Sequence, residues 1–344
     1  ADLEVAMIVT DISSSEIRAL VGGREQGYEG FNRALYAKRP IGSLIKPAIY
    51  LAALERYEQY SFATVLQDKS ITLTSDAGKK WQPKNYNGEY AGQVPLIDGL
   101  VHSLNIPTVN LGMSLGLENI ANAMHLLGYQ HDVITRPSML LGAIDMAPIE
   151  INQLYLPIAA KGEFKSQHAV TKIFSEQGDV LWSINKTAEQ RISVNGAYLL
   201  DYALSQVTKT GTARSLTWRL ADKQLAGKTG TSNDLRDSWF IGYDQRHLVT
   251  TWVGRDDNKP TKLTGSSGAL VLFAHFMKNQ KVMNKQLVMP EGVAMTLFEQ
   301  QSGHAVTKNC SNTIEYPAVM LGVRINDNCI KERERSWLER LFGN

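Results

Sequence analysis

The sequence predicts an α/β domain of the α+β kind, in which a mostly antiparallel sheet is drawn from both chain ends and a helical middle packs around it. Three observations carry this reading. β-Rich runs open the chain, helix-type periodicity fills Ser43 to Gln206, and alternating runs return beyond residue 222.

Val5 to Ile12 and Glu16 to Val21 read as a hairpin joined by serines and stopped by Gly22 and Gly23. "SLIKPAIYLAALERY" then has a broad apolar face and reads as a long helix from Ser43, and "LENIANAMHLLG" closes on a glycine suited to the position after a helix. "PIEINQLYLPIAAKG" opens on proline and ends on glycine, the favoured asymmetry. Leu200, Ala203, Leu204 and Val207 follow the i, i+3, i+4, i+7 rule, so a helix is expected from an Asn195 N-cap to about Val207. Strands follow in "KQLAGKTGTS", "DSWFIGYD" and "HLVTTWVGRDD".

Residues 1–283 are therefore read as one domain and residues 284–344 as an appendage with a polar hairpin, two cysteines and a terminal helix. In that helix Trp337, Leu338, Leu341 and Phe342 would form an apolar face, docked on its own domain or turned to a partner or membrane.

With 344 residues, 43 % hydrophobic and 20 % charged, the chain can bury a sizeable core. A net charge of +2 without basic clusters argues against a nucleic-acid partner. No apolar run approaches the roughly 20 residues that cross a bilayer, and "ADLEVAMIVTDI" has neither a basic start nor a cleavage site. Cys310 and Cys329 lack a C-x-x-C or a neighbouring histidine, which argues against zinc. They form either a disulfide closing a polar loop, which needs an oxidising compartment, or two free thiols.

The four letters KTGT occur twice, at Lys209 to Thr212 and at Lys228 to Thr231. The first copy falls just past a helix end, where lysine complements the dipole and Gly211 would supply a left-handed cap. The second lies within a strand, where an interior glycine marks close approach of a ligand or another backbone. A phosphate loop is excluded, because Asp222 stands where that pattern needs glycine. What remains is an edge strand that accepts an extended peptide, with Lys228 and the hydroxyls of Thr229 and Thr231 offered to a carboxylate.

K-T-G is paired with S-x-x-K in serine acyl-transfer enzymes. Ser183 to Lys186 lies in a polar turn, whereas Ser43 to Lys46 opens an apolar helix and puts amine and hydroxyl on one face. Pro47 fits the first turn of such a helix, and the Ser43 N–H is free to face an oxyanion. For Lys46 to act as a base its pKa must fall from about 10.4, through burial and a nearby cation such as Lys228. Three S-x-N runs compete for the remaining element: Ser103 to Asn105, Ser183 to Asn185 and Ser193 to Asn195. Capping explains the last and a turn the second. Ser103 and Asn105, just before Pro107, would face the same way if extended, with His102 turned away and structural.

Together "RPIGSLIKPAIY", "HSLNIPTVNLG" and "LAGKTGTSNDLRDSWFIGY", with "FNRALYAKR" upstream and "TWVGRDD" downstream, resemble the transpeptidase domain of class A penicillin-binding proteins, nearest the 1b type of Gram-negative bacteria. The resemblance runs from about Val5 to residue 280, and the tail with its cysteine pair and Trp-containing helix is similar too. The middle motif reads S-L-N where many β-lactamase relatives carry S-D-N.

The resemblance implies a serine β-lactamase/transpeptidase-like fold. It also implies a D,D-transpeptidase that cross-links peptidoglycan stem peptides ending in D-Ala-D-Ala and is acylated by β-lactam antibiotics. It makes Ser43 the nucleophile, Lys46 its base, Ser103 a proton relay, Asn105 the holder of Lys46 and the substrate amide, and Lys228 the source of positive charge. Thr229, Gly230 and Thr231 would bind substrate, Thr229 and Thr231 gripping its carboxylate, while the N–H groups of Ser43 and Thr231 form the oxyanion hole. No cofactor or metal is implied. A periplasmic place at the outer face of the inner membrane is implied, with an outer-membrane lipoprotein activator and division or elongation proteins as partners. No membrane anchor or glycosyltransferase domain precedes Ala1, so the chain is expected to be the C-terminal part of a bifunctional murein synthase. Rival readings are a β-lactamase in which Glu150 activates water, and a β-lactam sensor that is acylated without turnover.

Overall fold

A computed structural model describes residues 2–25, 27, 30–74, 78, 80–184, 187–221, 223–307, 310, 312–326 and 328–329. The opening hairpin is β1 (Glu4–Asp11) and β2 (Ile17–Val21), and the late strands are β3 (Ala226–Thr231), β4 (Ser238–Tyr243) and β5 (His247–Gly254). They form one five-stranded antiparallel sheet in the order β3-β4-β5-β1-β2. β1 runs along β5 from Glu4 opposite Gly254 to Asp11 opposite His247, so the two chain ends are joined through the sheet centre. β3 is left as an edge.

β4 is buried at every position because helices cover both faces of the sheet. Thr251 Oγ1 donates to Ala269 O at the start of the helix Ala269–Lys278, while its neighbour Thr250 accepts from Asn152 in the helix Pro148–Ala159. Successive strand residues point to opposite faces, so these helices lie on opposite sides. Between them Trp239 and Trp252 stand opposite in register, and each indole N–H is satisfied, by Pro40 O and Asp237 Oδ1.

The helical middle centres on α1 (Lys46–Leu54), in which every residue but Ala52 is buried. A helix apolar all round belongs in a core. It is shorter than the apolar run suggests, because Gly42–Ile45 form a 3-10 turn before it. The helix Val194–Lys209 is capped by Ser193, whose Oγ accepts the Gly196 N–H at 2.9 Å, and not by Asn195. It runs past Val207 to include Lys209, and Gly211 is not left-handed. Glycine is needed there because a Cβ would sit 2.3 Å from the Val101 carbonyl oxygen.

The C-terminal segment forms its own hairpin, β6 (Val293–Glu299) with β7 (Thr313–Val319). Its Tyr316 packs edge-on to Phe62 of the main body, and Lys285 Nζ meets the buried Asp201 carboxylate at 2.7 Å. Cys310 and Cys329 are joined in a disulfide. The expected terminal helix falls in 330–344, which, like Asn185, Lys186 and Asp222, lie outside the described residues. Among the described residues no helix is long and apolar enough to cross a membrane.

Candidate active site

The site is built where the Ser43 turn presses on the edge strand. Gly42 has φ +54°, and a Cβ there would lie 2.4 Å from the Thr231 carbonyl oxygen. Gly230 answers from the other side, since its Cβ would lie 2.8 Å from Leu44 Cγ. Glycines on both segments let two backbones meet that are far apart in sequence. A pair formed by Arg33 of "FNRALYAKR" and Asp256 of "TWVGRDD" (Nε to Oδ1, 2.8 Å) ties the flanking segments together.

Behind this contact lie two fully buried lysines. Lys46 Nζ donates to Ser103 O at 2.6 Å, Leu104 O at 3.1 Å and Asn105 Oδ1 at 2.8 Å. Lys228 Nζ donates to Ser103 Oγ at 2.8 Å and Thr229 O at 3.1 Å. Ser103 thus stands between the amines, carbonyl to one and hydroxyl to the other. It does so from a left-handed turn (φ +56°) and not from an extended segment, a conformation that costs a non-glycine residue about 1 kcal/mol or more.

Burial first, and then the charge of Lys228, hold the Lys46 pKa well below its ordinary value. Burial alone brings Lys228 down to about 7. The three oxygens around Lys46 favour its charged form, and burial and the second cation act against them.

Asn105 begins the helix Asn105–Leu115, and its placement depends on a residue with no local sequence signal. Asn85 Oδ1 accepts the N–H groups of Asn105 and Ile106 at 2.9 and 3.0 Å, capping that helix from another segment. The Asn85 amide in turn donates to buried Asp68 at 2.7 Å, and the Asn105 amide donates to Lys84 O, which aims its oxygen at Lys46. Asn85→Ala removes the cap and leaves one oxygen of a buried carboxylate without its donor, the other still accepting the Ala91 N–H, so a stability loss of about 2 kcal/mol or more is expected in urea unfolding. A loss within 0.5 kcal/mol, in round figures, would mean water replaces it freely.

In front of the lysines opens a cleft of about 690 Å³ lined by Ser43, Ser103, Asn105, Thr229 and Thr231 among others. Ser43 Oγ makes no hydrogen bond among the described residues, while Thr231 Oγ1 accepts the Gly265 N–H at 3.0 Å and keeps its proton for the cleft. Sequence reasoning missed several wall residues: Tyr86, Leu141, Thr212, Asn233 to Leu235 and Thr264 to Ser266. Thr212 belongs to the KTGT copy that helix-end geometry explained away, yet its Oγ1 lies 2.6 Å from Thr229 Oγ1. His102 also lines the cleft, because the turn at Ser103 does not send it to the far side. Glu150 does not line it: its Oε2 accepts the Ala147 N–H at 2.7 Å and its Oε1 pairs with His131 at 2.8 Å.

Such a site, a serine at a helix start with paired buried lysines beside an edge strand, is suited to acyl transfer onto serine. Residues 5–278 match the family model of the penicillin-binding protein transpeptidase domain, and the chain belongs to that family. It is 42 % identical to penicillin-binding protein 1B of Vibrio cholerae serotype O1 over 342 residues, 99 % of this chain and 44 % of that protein. To penicillin-binding protein 1B of Escherichia coli K12 it is 42 % identical over 297 residues, 86 % of this chain and 35 % of that protein. The crystal structure of penicillin-binding protein 1A from Haemophilus influenzae shares the fold, with a TM-score of 0.86 at 24 % identity over 95 % of this chain and 55 % of that one. The expected class A, 1b-type resemblance and the transpeptidase-like α/β fold both hold. The chain spans less than half the length of these curated relatives.

Proposed function

We propose that the domain is a serine D,D-transpeptidase acting on peptidoglycan stem peptides that end in D-Ala-D-Ala, and that β-lactams acylate the same serine. The Ser43 hydroxyl attacks the penultimate D-Ala carbonyl as Lys46 takes its proton; as a neutral amine Lys46 donates to only two of its three neighbouring oxygens and has a lone pair to receive it. The oxyanion forms against the N–H groups of Ser43 and Thr231. Ser103 passes its proton to the leaving D-Ala amine and takes one from Lys228, whose amine is hydrogen-bonded to the same oxygen, and the ester bond to Ser43 remains. An amine of a second stem then attacks that ester, gives up a proton through Ser103 to Lys228 and forms the cross-linking amide, while Lys46 returns its proton to the Ser43 oxygen and frees the hydroxyl. Thr229 and Thr231 hold the terminal carboxylate of the donor, with Gly230 keeping the strand close against Leu44. No cofactor is needed for these steps.

The observation that carries this reading is Ser103 held between two fully buried amines at a cleft that opens on Ser43. In the same reading residues 284–344 are an appendage docked on the 1–283 catalytic domain, and the whole protein is a membrane-anchored bifunctional synthase working in the periplasm. An outer-membrane lipoprotein activator and division or elongation proteins are its partners there.

Mass spectrometry of the wild-type chain after reaction with benzylpenicillin is expected to place the adduct on the peptide holding Ser43, with an acyl-enzyme lifetime of minutes or longer. An adduct elsewhere would overturn the nucleophile. Release within seconds would favour a β-lactamase, against which the engagement of Glu150 at its own helix start already argues. Acylation without cross-linking of a peptide donor to an amine acceptor would favour a sensor.

A further inference from the structure

We propose that Thr212 is a positioning residue that directs the Thr229 hydroxyl proton into the cleft, and thereby sets the preference for donors with a free terminal carboxylate. This rests on the acyl-transfer reading of Ser43 given above. The repeated KTGT motif then has two working copies: the second supplies the edge strand, and the first supplies the hydroxyl behind it.

Thr212 Oγ1 and Thr229 Oγ1 lie 2.6 Å apart, so one proton is shared between them and one hydroxyl donates to the other. Thr229 is nearly buried, at 7 % exposure, and among the described residues its hydroxyl makes no hydrogen bond other than that with Thr212. A carboxylate only accepts hydrogen bonds. Thr229 can give its proton to a carboxylate while keeping a partner only if Thr212 is the donor of the pair. The chain then runs Thr212 to Thr229 to carboxylate, and each bond polarises the next. Thr231 needs no such help, because the Gly265 N–H already fills its acceptor side and leaves its proton free. Nor does Lys228 supply that direction, since its amine is turned to Ser103 Oγ and Thr229 O.

Position explains why the polar partner is Thr212 and not a residue of β3 itself. Gly211 sits against the Val101 carbonyl, which pins the turn after the long helix, and Thr212 N–H donates to that same carbonyl at 3.3 Å. The Thr212 side chain is thereby held beside the edge strand. Exposed Lys209, at the other end of the motif, has no part in this contact.

The test compares benzylpenicillin with its methyl ester as acylating probes on the full 344-residue chain and its variants. Charged acceptors gain more from an aligned donor than neutral ones. Thr212→Val is expected to lower the second-order acylation constant for the acid roughly tenfold while changing that for the ester less than about twofold. Because both probes are measured on one preparation, the acid-to-ester ratio is unaffected by a partly unfolded sample. Thr212→Ser should keep the wild-type ratio. An unchanged ratio in Thr212→Val, or a changed one in Thr212→Ser, would overturn the proposal. Failure of the wild-type chain to be acylated at Ser43 by the acid would instead overturn the acyl-transfer reading beneath it.

Discussion

Ser43→Ala is expected to abolish covalent labelling by a fluorescent penicillin while leaving the fold in place. Three other hydroxyls that line the cleft are already engaged. Ser103 Oγ accepts from Lys228, Thr229 Oγ1 is paired with Thr212, and Thr231 Oγ1 accepts from Gly265. Ser43 Oγ alone among these four makes no hydrogen bond among the described residues, and it stands one helical turn before a buried amine. Losing it orphans no partner, so the stability change should stay within about 0.5 kcal/mol. Removing a serine nucleophile costs on the order of a millionfold in turnover, far below the detection limit of a labelling gel. Label that persists on the variant, with a melting curve like that of the wild type, would show that another group is attacked.

The sheet was legible because its strands are β-branched or aromatic runs between polar turns, and the same signals that mark "DSWFIGYD" also bury it from both faces. Ser43 and Lys46 were legible because residues a turn apart on one helix share a face, Lys228 because an interior glycine follows it closely in a strand, and Ser103 only as part of a short S-x-N run. What hid from the sequence was contact between segments. Ser193 and Asn195 are equally good caps by type, and the choice falls to Ser193, whose own N–H is held by the Glu55 carboxylate from another helix end. Asn85 caps a helix that begins 20 residues later. Thr212 had a sufficient local explanation, and only the fold reveals that its hydroxyl meets Thr229. The left-handed turn at Ser103 cannot be read from residue type, since serine rarely adopts it without surroundings that force it. Each miss is thus a place where tertiary contact overrules a local rule, and all but the helix cap lie at the cleft or brace it.

Lys228→Ala should slow penicillin labelling by roughly 100- to 1000-fold, whereas Lys209→Ala should leave it nearly unchanged, although both lysines open the same four letters. Lys209 is exposed in the last turn of its helix, and Lys228 is fully buried against Ser103 Oγ. The charge on Lys228 can be separated from its bulk by pH. Burial brings its pKa to about 7, so wild-type labelling should decline as pH rises through that region and the amine loses its proton. Unfolding does not mimic this decline, and the sign can be worked out. Between about 7 and the ordinary lysine value the unfolded chain binds the proton that the folded chain has released, so this group makes the fold more stable as pH rises. Activity and stability should therefore move in opposite directions across one pH window. Lys228→Arg keeps a charge that cannot be titrated away in this range. Its labelling, slower overall because a planar guanidinium does not reproduce the amine's contacts, should lose the alkaline decline. Labelling that is flat with pH in the wild type, or that falls equally in Lys228→Arg, would mean that the positive charge at position 228 is not what assists proton transfer through Ser103.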